Sequence, residues 1–397
     1  MKIGIYGGTF DPPHNGHIAA AKAAMERLSL DKLLLVPTFI PPHKELPAGA
    51  ASPQQRLDMT VLATAALGKK AEVLDVELRR GGPSYSWETL CMMKQQYPDD
   101  EIFLLMGSDM FLTLQDWRES RQVMSMARIG AFSRMQGGEE AAFARQKAFL
   151  EREYGADVTV IPNPQVVELS STEVRQALAQ GGGADLLPAA VYGYVLREKL
   201  YGTHMPLTGL TPDKLRPIAL SYLKPKRMPH VLGTEQEAVR LVRRYGGDET
   251  QARIAALLHD CTKKLDMPEQ LALCAEYGIE LDELERKALK LLHSKTGAAI
   301  ARGVFGVEDA VYDAIWYHTT GKPDMTRLEK IIYLADYIEP SRDFDGVEEL
   351  RRAVYEDLDH GLLMGLTMTI QEMEEMGNPV HHLTRDARDY LLKRGIR

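Results

Sequence analysis

The first half of the chain alternates short apolar runs with longer stretches in which apolar residues recur at helical spacing. Apolar runs are typical of buried strands, and a 3.6-residue period is typical of helices. The pattern predicts strands over residues 3–6, 32–36, 72–76, 102–106, 128–133 and 158–161. It predicts helices over residues 16–28, 53–67, 86–96, 138–154 and 171–179. This alternation indicates a Rossmann-like α/β fold, a doubly wound parallel sheet with helices on both faces.

After about residue 201 the strand pattern ends, and a turn-rich stretch over residues 202–209 follows. From there nearly every segment has helical period. The pattern predicts helices over residues 212–223, 229–245, 248–264, 268–277, 281–291, 294–305, 307–317, 326–337, 347–376 and 384–397. We therefore expect two domains: an α/β domain over residues 1–202 and, after a linker over residues 203–212, an all-α helical bundle over residues 213–397.

Composition and charge disfavour several classes of protein. The chain has 397 residues and a net charge of -8, which disfavours non-specific binding to nucleic acid or to an anionic membrane. Its three cysteines, Cys91, Cys261 and Cys274, are widely spaced and form no CxxC pair, so we expect no disulfide framework and no zinc ribbon. There is no signal-like start and no apolar run of roughly 18 residues. We expect a cytoplasmic protein, and its oligomeric state stays open.

The first predicted strand leads directly into Gly-Gly-Thr-Phe-Asp-Pro-Pro-His-Asn-Gly-His at residues 7–17, followed by an alanine-rich helix. Glycines allow the backbone to approach a phosphate, and the start of a helix offers unpaired N–H groups. His14 and His17 are three residues apart, so both rings can lie on one face of that helix start. Two imidazoles without a nucleophile suit charge stabilisation in a phosphate reaction.

Residues 7–17 resemble the HxGH signature of nucleotidyltransferases, and the Pro-Pro-His form is similar to the nicotinate-mononucleotide adenylyltransferases of bacterial NAD biosynthesis. A second signature of that family, a helix start rich in Ser and Thr with an arginine, is matched by Leu-Ser-Ser-Thr-Glu-Val-Arg at residues 169–175. The resemblance covers about residues 1–200. It implies the reaction of ATP, with Mg²⁺, and nicotinate mononucleotide to give nicotinate adenine dinucleotide and pyrophosphate.

The resemblance also implies a role for individual residues. His14, His17, Lys44 and Arg175 would act on the ATP phosphates during transfer. The other implied ATP contacts are Gly8, Thr9, Phe10, Gly107, Asp109, Ser171 and Thr172. The implied contacts to the nicotinate nucleotide are Tyr85, Thr89 and Trp117. Outside this family context a loop lysine is more often solvated and a tryptophan more often part of the core.

The helical half places histidine and aspartate beside otherwise apolar helices. The candidate metal ligands are His230, His259, Asp260, His293, His318 and Asp336. Adjacent His259 and Asp260 can bind two different metal ions, with the carboxylate as a bridge, and this donor set suits Fe, Mn or Zn better than Mg²⁺. Burying such groups is costly unless they pair or bind metal. The pattern predicts that His293 lies at a junction between two helices.

The order of these residues resembles the HD phosphohydrolase superfamily in its form with six ligands and two metals. The segments around His259, His318 and Asp336 are similar to the bacterial symmetrical diadenosine-tetraphosphate hydrolases, over about residues 213–390. That resemblance implies two Fe ions, with Mn or another divalent metal as the alternative, and cleavage of diadenosine tetraphosphate into two ADP. The candidate phosphate-binding cations are Lys263, Lys322 and Arg342. His381 and His382 lie outside the pattern, in a predicted loop before the last helix.

The sequence therefore predicts a bifunctional enzyme. Two alternatives remain for the helical half: a general nucleotidase, or a module that senses nucleotides without turnover. The presence of all six candidate metal ligands disfavours an inactive module. The native metal and the preference for nicotinate over nicotinamide mononucleotide are left open.

Overall fold

The computed structural model describes residues 1–42, 45–133, 139–162 and 169–396. The chain divides into two compact units, Met1–His204 and Met205–Arg397. Within the described residues, no helix combines the length and the apolar character that crossing a lipid bilayer requires.

The first unit contains a parallel sheet of six strands. They are β1 (Lys2–Gly8), β2 (Lys32–Pro37), β3 (Ala71–Val73), β4 (Glu101–Met106), β5 (Arg128–Ser133) and β6 (Val158–Pro162). Their order in the sheet is β3-β2-β1-β4-β5-β6, and each pairing is parallel. The order changes direction between β1 and β4, where open α/β sheets bind ligands at the carboxyl ends of the strands. The prediction of an α/β doubly wound fold is confirmed.

Helices cover this sheet, and their buried faces form the core with alternate strand residues. They are α1 (Asn15–Arg27), α2 (Pro53–Ala63), α3 (Val76–Arg80), α4 (Ser86–Gln96), α5 (Ser108–Leu112), α6 (Ser120–Met126), α7 (Glu139–Tyr154), α8 (Ser171–Ala179) and α9 (Ala189–Arg197). The predicted strand over residues 72–76 was too long. β3 is an edge strand that pairs only with β2, and α3 begins at Val76.

The second unit is helical throughout its described residues, which confirms the prediction of an all-α fold. Its helices are α10 (Pro212–Ser221), α11 (Met228–Tyr245), α12 (Glu249–Leu258), α13 (Met267–Glu276), α14 (Leu289–Phe305), α15 (Asp309–Trp316), α16 (Arg327–Ile338), α17 (Val347–Glu356), α18 (Leu358–Glu375) and α19 (His382–Lys393).

Three helix predictions in this unit were wrong. The span 248–264 was too long, since α12 ends at Leu258 and a series of turns follows it. The span 347–376 is two helices, because Asp357 is extended and its side chain caps α18 by accepting the N–H of His360. The span 281–291 is not one helix, since a short 3₁₀ turn at Glu285–Lys287 precedes α14. His293 therefore lies inside α14 and not at a junction between helices.

Candidate active sites

The two histidines of the first signature lie against each other at the start of α1. His14 is the N-cap residue, its backbone N–H donates to Nδ1 of His17 at 3.2 Å, and the ring centroids are 3.8 Å apart. Burial lowers the pKa of His14 from 6.5 to about 4, although the charge of Glu173 acts in the opposite direction. A Cβ at Gly16 would lie 3.0 Å from Nδ1 of His14. Glycine at this position therefore leaves space for a neutral, packed imidazole.

The histidines open into a cavity of about 290 Å³ at the carboxyl edge of the sheet. Five of the residues predicted to bind ATP line it: His14, His17, Gly107, Asp109 and Ser171. They come from α1, from the turn after β4 and from the start of α8. The structure thus brings together residues from both signatures, which are more than 150 positions apart along the sequence.

A second cavity, of about 280 Å³, lies at the same edge. Its lining includes Gly8, Thr9, Tyr85, Gly107 and Trp117, all predicted to contact a substrate. The lining also contains residues that the sequence analysis did not single out, among them Glu77, Ser84 and Arg118, whose guanidinium lies 4.7 Å from the ring centroid of Tyr85. Both cavities are lined by Gly107 and Met110, so they meet at the turn after β4.

Other predicted residues lie beside the cavities without lining them. Thr89 is buried and donates its hydroxyl to Oε1 of Glu77 at 2.7 Å. The ring of Phe10 is buried under the loop after β1, 5.2 Å from the ring of His17. Arg175 donates to the carbonyl oxygen of Asp11 at 2.7 Å and to the hydroxyl of Thr172 at 3.2 Å. Lys44 lies outside the described residues.

The sequence analysis missed two buried charged residues of this unit, Arg56 and Glu77. Burial lowers the pKa of the Arg56 guanidinium and raises that of the Glu77 carboxyl, whose Oε2 has no hydrogen-bond partner. The helical spacing contained a signal for Arg56. Residues 56, 59, 60 and 63 lie on one face of α2 and all are buried, so the arginine occupies a core position.

In the second unit, the six predicted metal ligands converge from five helices. His230 is in α11, His259 and Asp260 directly follow α12, His293 is in α14, His318 follows α15, and Asp336 is in α16. They form three overlapping groups whose ligand atoms lie within 4.8 Å of one another. The groups are His230 with His259 and Asp260; His259 with His318 and Asp336; and Asp260 with His293 and His318.

Asp260 joins two of these groups through different oxygen atoms. Its Oδ2 lies 3.9 Å from Nε2 of His230 and 3.6 Å from Nε2 of His259, whereas its Oδ1 lies 3.3 Å from Nε2 of His293. Asp260 is completely buried. Although burial raises the pKa of this carboxyl, the neighbouring imidazoles and Lys263 hold it well below its ordinary value. The geometry is that of a carboxylate facing two sets of nitrogen donors.

The donors fit divalent metal ions. Nε2 of His259 is buried without a hydrogen-bond partner, and Nε2 of His230 lies 2.9 Å from Oδ1 of Asp336, so imidazole nitrogens and carboxylate oxygens face one another inside the cluster. The Nδ1 atoms of His259 and His318 each lie 2.6 Å from a backbone carbonyl oxygen, which directs the ring proton there and turns Nε2 towards the cluster. Burial lowers the pKa of His318 to about 4, which favours the neutral form that binds metal.

A cavity of about 630 Å³ opens beside this cluster. Two of the three predicted phosphate-binding cations, Lys263 and Arg342, line it, and Arg342 also donates to Oδ1 of Asp336 at 2.6 Å. The third, Lys322, is not in the lining, and its Nζ lies 2.8 Å from Oε1 of Glu329. A cation that the sequence analysis missed, Arg227, donates through Nε to Asp260.

A further group of potential ligands, Asp282, His381 and His382, is better explained as a hydrogen-bonded polar cluster. His381 is the N-cap of α19, and its Nδ1 accepts the N–H of Leu383 at 3.2 Å. Its Nε2 lies 3.4 Å from carboxylate oxygens of Asp282 and Glu285. With the lone pair of Nδ1 used by the cap, the ring proton lies on Nε2 and faces two carboxylates. His382 is the first residue of α19, so the prediction that both residues precede the helix was wrong for His382.

Comparison with known proteins yields similarities for both halves. Residues 227–341 match the HD domain model. A solved structure of a predicted HD superfamily hydrolase involved in NAD metabolism, from Clostridium acetobutylicum, is 44% identical to this chain, with a TM-score of 0.45. The match covers 47% of this chain and 98% of that one. A solved nicotinic acid mononucleotide adenylyltransferase of Plasmodium falciparum is 16% identical, covers 51% of this chain and 98% of its own, and has a TM-score of 0.43.

The first half matches named relatives over their whole length. Residues 5–177 match the cytidylyltransferase-like family model. A probable nicotinate-nucleotide adenylyltransferase of Shewanella sp. (strain ANA-3) is 39% identical over 215 residues, which are 51% of this chain and 99% of the relative. One from Desulfatibacillum aliphaticivorans is 34% identical over 222 residues, 51% of this chain and 100% of the relative. Through its first half the chain belongs to the nicotinate-nucleotide adenylyltransferase family, and it carries an HD domain in its second half.

Proposed function

We propose that the first unit, residues 1–202, transfers AMP from ATP to nicotinate mononucleotide, giving nicotinate adenine dinucleotide and pyrophosphate. One observation carries the proposal: two cavities meet at Gly107 and Met110, with paired histidines in one and aromatic residues in the other. Two nucleotides bound there would place their phosphates near the junction. The named relatives at 34–39% identity support the same reaction.

The chain supplies charge and positioning for this reaction, because the substrate's own phosphate is the nucleophile. His14 is neutral at rest, with its pKa at about 4, and becomes a better hydrogen-bond donor when the phosphates raise that pKa. Ser171 and Thr172, in the first turn of α8, offer hydroxyl and backbone donors to the leaving phosphates, together with the guanidinium of Arg175. Lys44 would add a further cation. Mg²⁺ bound with ATP would supply positive charge to the leaving pyrophosphate.

In the second cavity, Tyr85 and Trp117 would hold the pyridine ring. Thr89 does not line the cavity and would act indirectly, by orienting Glu77 through its hydrogen bond. Gly8 and Thr9, which line this cavity, and the buried Phe10 beside them would separate the two substrates, and Gly107 and Asp109 would receive the adenosine ribose.

The test is to incubate the purified chain with ATP, Mg²⁺ and nicotinate mononucleotide and to separate the products by chromatography. We expect the dinucleotide and pyrophosphate in equal amounts. A parallel reaction with nicotinamide mononucleotide measures the preference for the acid. Failure to form either dinucleotide would refute the proposal. Trp117→Phe is a matched variant that keeps an aromatic ring in the cavity and should retain more activity than Trp117→Ala.

For the second unit we propose residues 213–397 as a two-metal phosphohydrolase that cleaves diadenosine tetraphosphate into two ADP, joined to the first unit by a linker over residues 203–212. What supports a dinuclear site is the orientation of Asp260, whose two oxygens face different histidines. What supports a large phosphorylated substrate is the cavity of about 630 Å³ with cations and aromatic residues in its lining.

His230, His259, Asp260, His293, His318 and Asp336 would hold the ions, which we propose to be Fe, with Mn as the alternative. When bound, the ions supply positive charge for the phosphates and activate water for hydrolysis. The chain's own contribution is to orient the phosphates: Lys263 and Arg342 line the cavity beside the cluster and carry the charges that would bind them. We leave Lys322 out of this set, because Glu329 neutralises it.

This proposal needs two measurements on the same protein sample. Elemental analysis gives the bound metal, and chromatography follows diadenosine tetraphosphate and, separately, nucleoside monophosphates. Release of two ADP per tetraphosphate supports the proposal. Faster release of phosphate from monophosphates would favour a general nucleotidase. Binding without turnover in protein loaded with Fe or Mn would favour a sensing module. Asp260→Asn, which keeps the side-chain shape, is the matched control.

A further inference from the structure

Arg56 is a fully buried arginine whose role is not explained by the reaction as described so far. It lies on α2 and its exposed fraction is 0%. The charge of Asp11 acts on it through space, and within the described part of the chain no ion pair joins Arg56 to a carboxylate. A buried guanidinium without an ion pair is costly, so its hydrogen bonds must be important to the unit.

The guanidinium donates to three backbone carbonyls in two loops. Nη1 donates to the carbonyl oxygens of Thr9, at 2.9 Å, and of Thr38, at 2.6 Å. Nη2 donates to the carbonyl oxygen of Phe39 at 2.9 Å. Thr9 follows β1, and Thr38 and Phe39 follow β2, so one side chain ties together the loops that leave two paired strands.

These loops form part of both substrate cavities. Thr9 and Thr38 line the cavity proposed for the nicotinate nucleotide. The loop after β1 continues through Asp11, whose carbonyl oxygen accepts from Arg175, to His14. In the loop after β2, Phe39 donates its N–H to the hydroxyl of Ser84, which also lines the nucleotide cavity. A displacement of either loop would therefore move groups on both sides of the reacting phosphate.

We propose that Arg56 is a positioning residue for adenylyl transfer, and that its guanidinium fixes the loops after β1 and β2 at the distance the two substrates require. This rests on the proposed function of the first unit. Arginine suits the task because its planar fork donates in several fixed directions at once. A lysine carries the same charge but cannot reach three carbonyls in two loops with the same geometry.

The experiment compares Arg56→Lys with the wild type in the adenylyl-transfer assay, well below the melting temperature of each protein. We expect kcat to fall by about tenfold to a hundredfold, since displacements of about 1 Å have effects of that size. We expect a smaller change in KM for ATP, because the proposed ribose contacts at Gly107 and Asp109 follow β4 and receive no hydrogen bond from Arg56. Partial recovery of kcat when methylguanidinium is added to Arg56→Ala would show that the loss of kcat is due to the missing guanidinium group.

Thr60→Val is the matched control. The Thr60 hydroxyl is buried on the same helix and donates to the backbone carbonyl of Arg56 at 2.7 Å, away from both loops. This variant should lower the melting temperature and keep kcat near the wild-type value. Ser84→Ala is a second, milder test, because it releases the N–H of Phe39 together with the contact of Ser84 to Glu77, and it should lower kcat by about threefold to tenfold.

The outcomes are separable. Wild-type kcat in Arg56→Lys overturns the positioning role, as does a loss of kcat that follows melting temperature equally in Arg56→Lys and Thr60→Val. If Arg56→Lys does not fold, Ser84→Ala decides, although Ser84 also lines the nucleotide cavity. A lower kcat with an unchanged KM for nicotinate mononucleotide supports the role, and an unchanged kcat, or a rise in that KM, overturns it. If the wild-type protein forms no dinucleotide, the proposed function fails, and the positioning role fails with it.

Discussion

Gly16→Ala should reduce activity without reducing stability. A Cβ at this position would lie 3.0 Å from Nδ1 and 3.1 Å from Cε1 of His14, so the ring must move by a few tenths of an ångström. The ring is buried and packed against His17, so the movement either disturbs the contact between the two rings or shifts His14 within the cavity that it lines. If a displacement of about 1 Å costs about a hundredfold, this one should lower kcat by about threefold to tenfold.

Stability should change in the opposite direction or not at all. Replacing glycine by alanine inside a helix stabilises by about 0.5–1 kcal/mol, and the gain is smaller in the first turn, where Gly16 lies. The contact with His14 offsets part of it. The assay is therefore a pair of measurements, kcat with saturating ATP and nicotinate mononucleotide, and the thermal unfolding temperature of the same preparation.

Asn15→Ala is the control for this prediction, because it removes the hydrogen bond from Nδ2 to the carbonyl of Asp185, 2.8 Å long, and leaves the imidazoles alone. It should lower the unfolding temperature more than Gly16→Ala and affect kcat less. The reasoning is wrong if Gly16→Ala keeps wild-type kcat, or if its loss of kcat is accompanied by a comparable loss of stability.

Four other predictions concern both units. His17→Ala should fold, as judged by circular dichroism, yet lose several orders of magnitude in kcat; a rate near wild type would exclude its role. Trp117→Ala should raise KM for nicotinate mononucleotide more than KM for ATP, because it lines only the second cavity. Asp260→Asn should lower the metal content per chain in elemental analysis, and unchanged content would contradict the bridging position. Burial lowers the pKa of His293 and His318 from 6.5 to about 4, so in metal-free protein their neutral forms stabilise the fold above pH 6.5 and this contribution is lost as the pH falls towards 4. The unfolding temperature of metal-free protein should fall over that range, and it should fall less steeply in His318→Gln.

The sequence predicted the order of strands and helices in the first unit well, because each buried strand is a distinct apolar run between helical stretches. It missed the short helices α3, α5, α6 and α9. Helices as short as α5, over Ser108–Leu112, contain too little of one period to be distinguished from a turn. Tertiary packing determines their structure more than local pattern does.

In the second unit, the sequence analysis misplaced helix boundaries where a side chain hydrogen-bonds the backbone and ends or prevents a helix. The break at Asp357 leaves the apolar pattern of α17 and α18 almost continuous, so only the capping side chain marks it. The reciprocal hydrogen bonds between Asp282 and Glu285 organise a turn where a helix was predicted. The six candidate metal ligands were found all the same, because histidine and aspartate in apolar helices are conspicuous whatever the helix boundaries.

The charged residues that support the sites were harder to find. The helical spacing marks Arg56 as a core position but not its partners, because backbone carbonyls carry no sequence signal. Glu77 acts on Ser84 and Thr89 through contacts that exist only after folding. Conversely, the resemblance implied a phosphate-binding role for Lys322, four residues after His318, yet this lysine pairs with Glu329. Proximity along the chain did not determine the direction of its side chain.

Gly107 has a consequence for how this enzyme can be altered. A methyl group built there meets no atom of the protein within 4 Å, although the residue borders both cavities. The fold would tolerate a larger residue, and the volume it fills is the one the two nucleotides would share. Screening variants for expression or heat resistance would therefore miss damage at this position, whereas a growth selection that depends on dinucleotide supply would detect it at once.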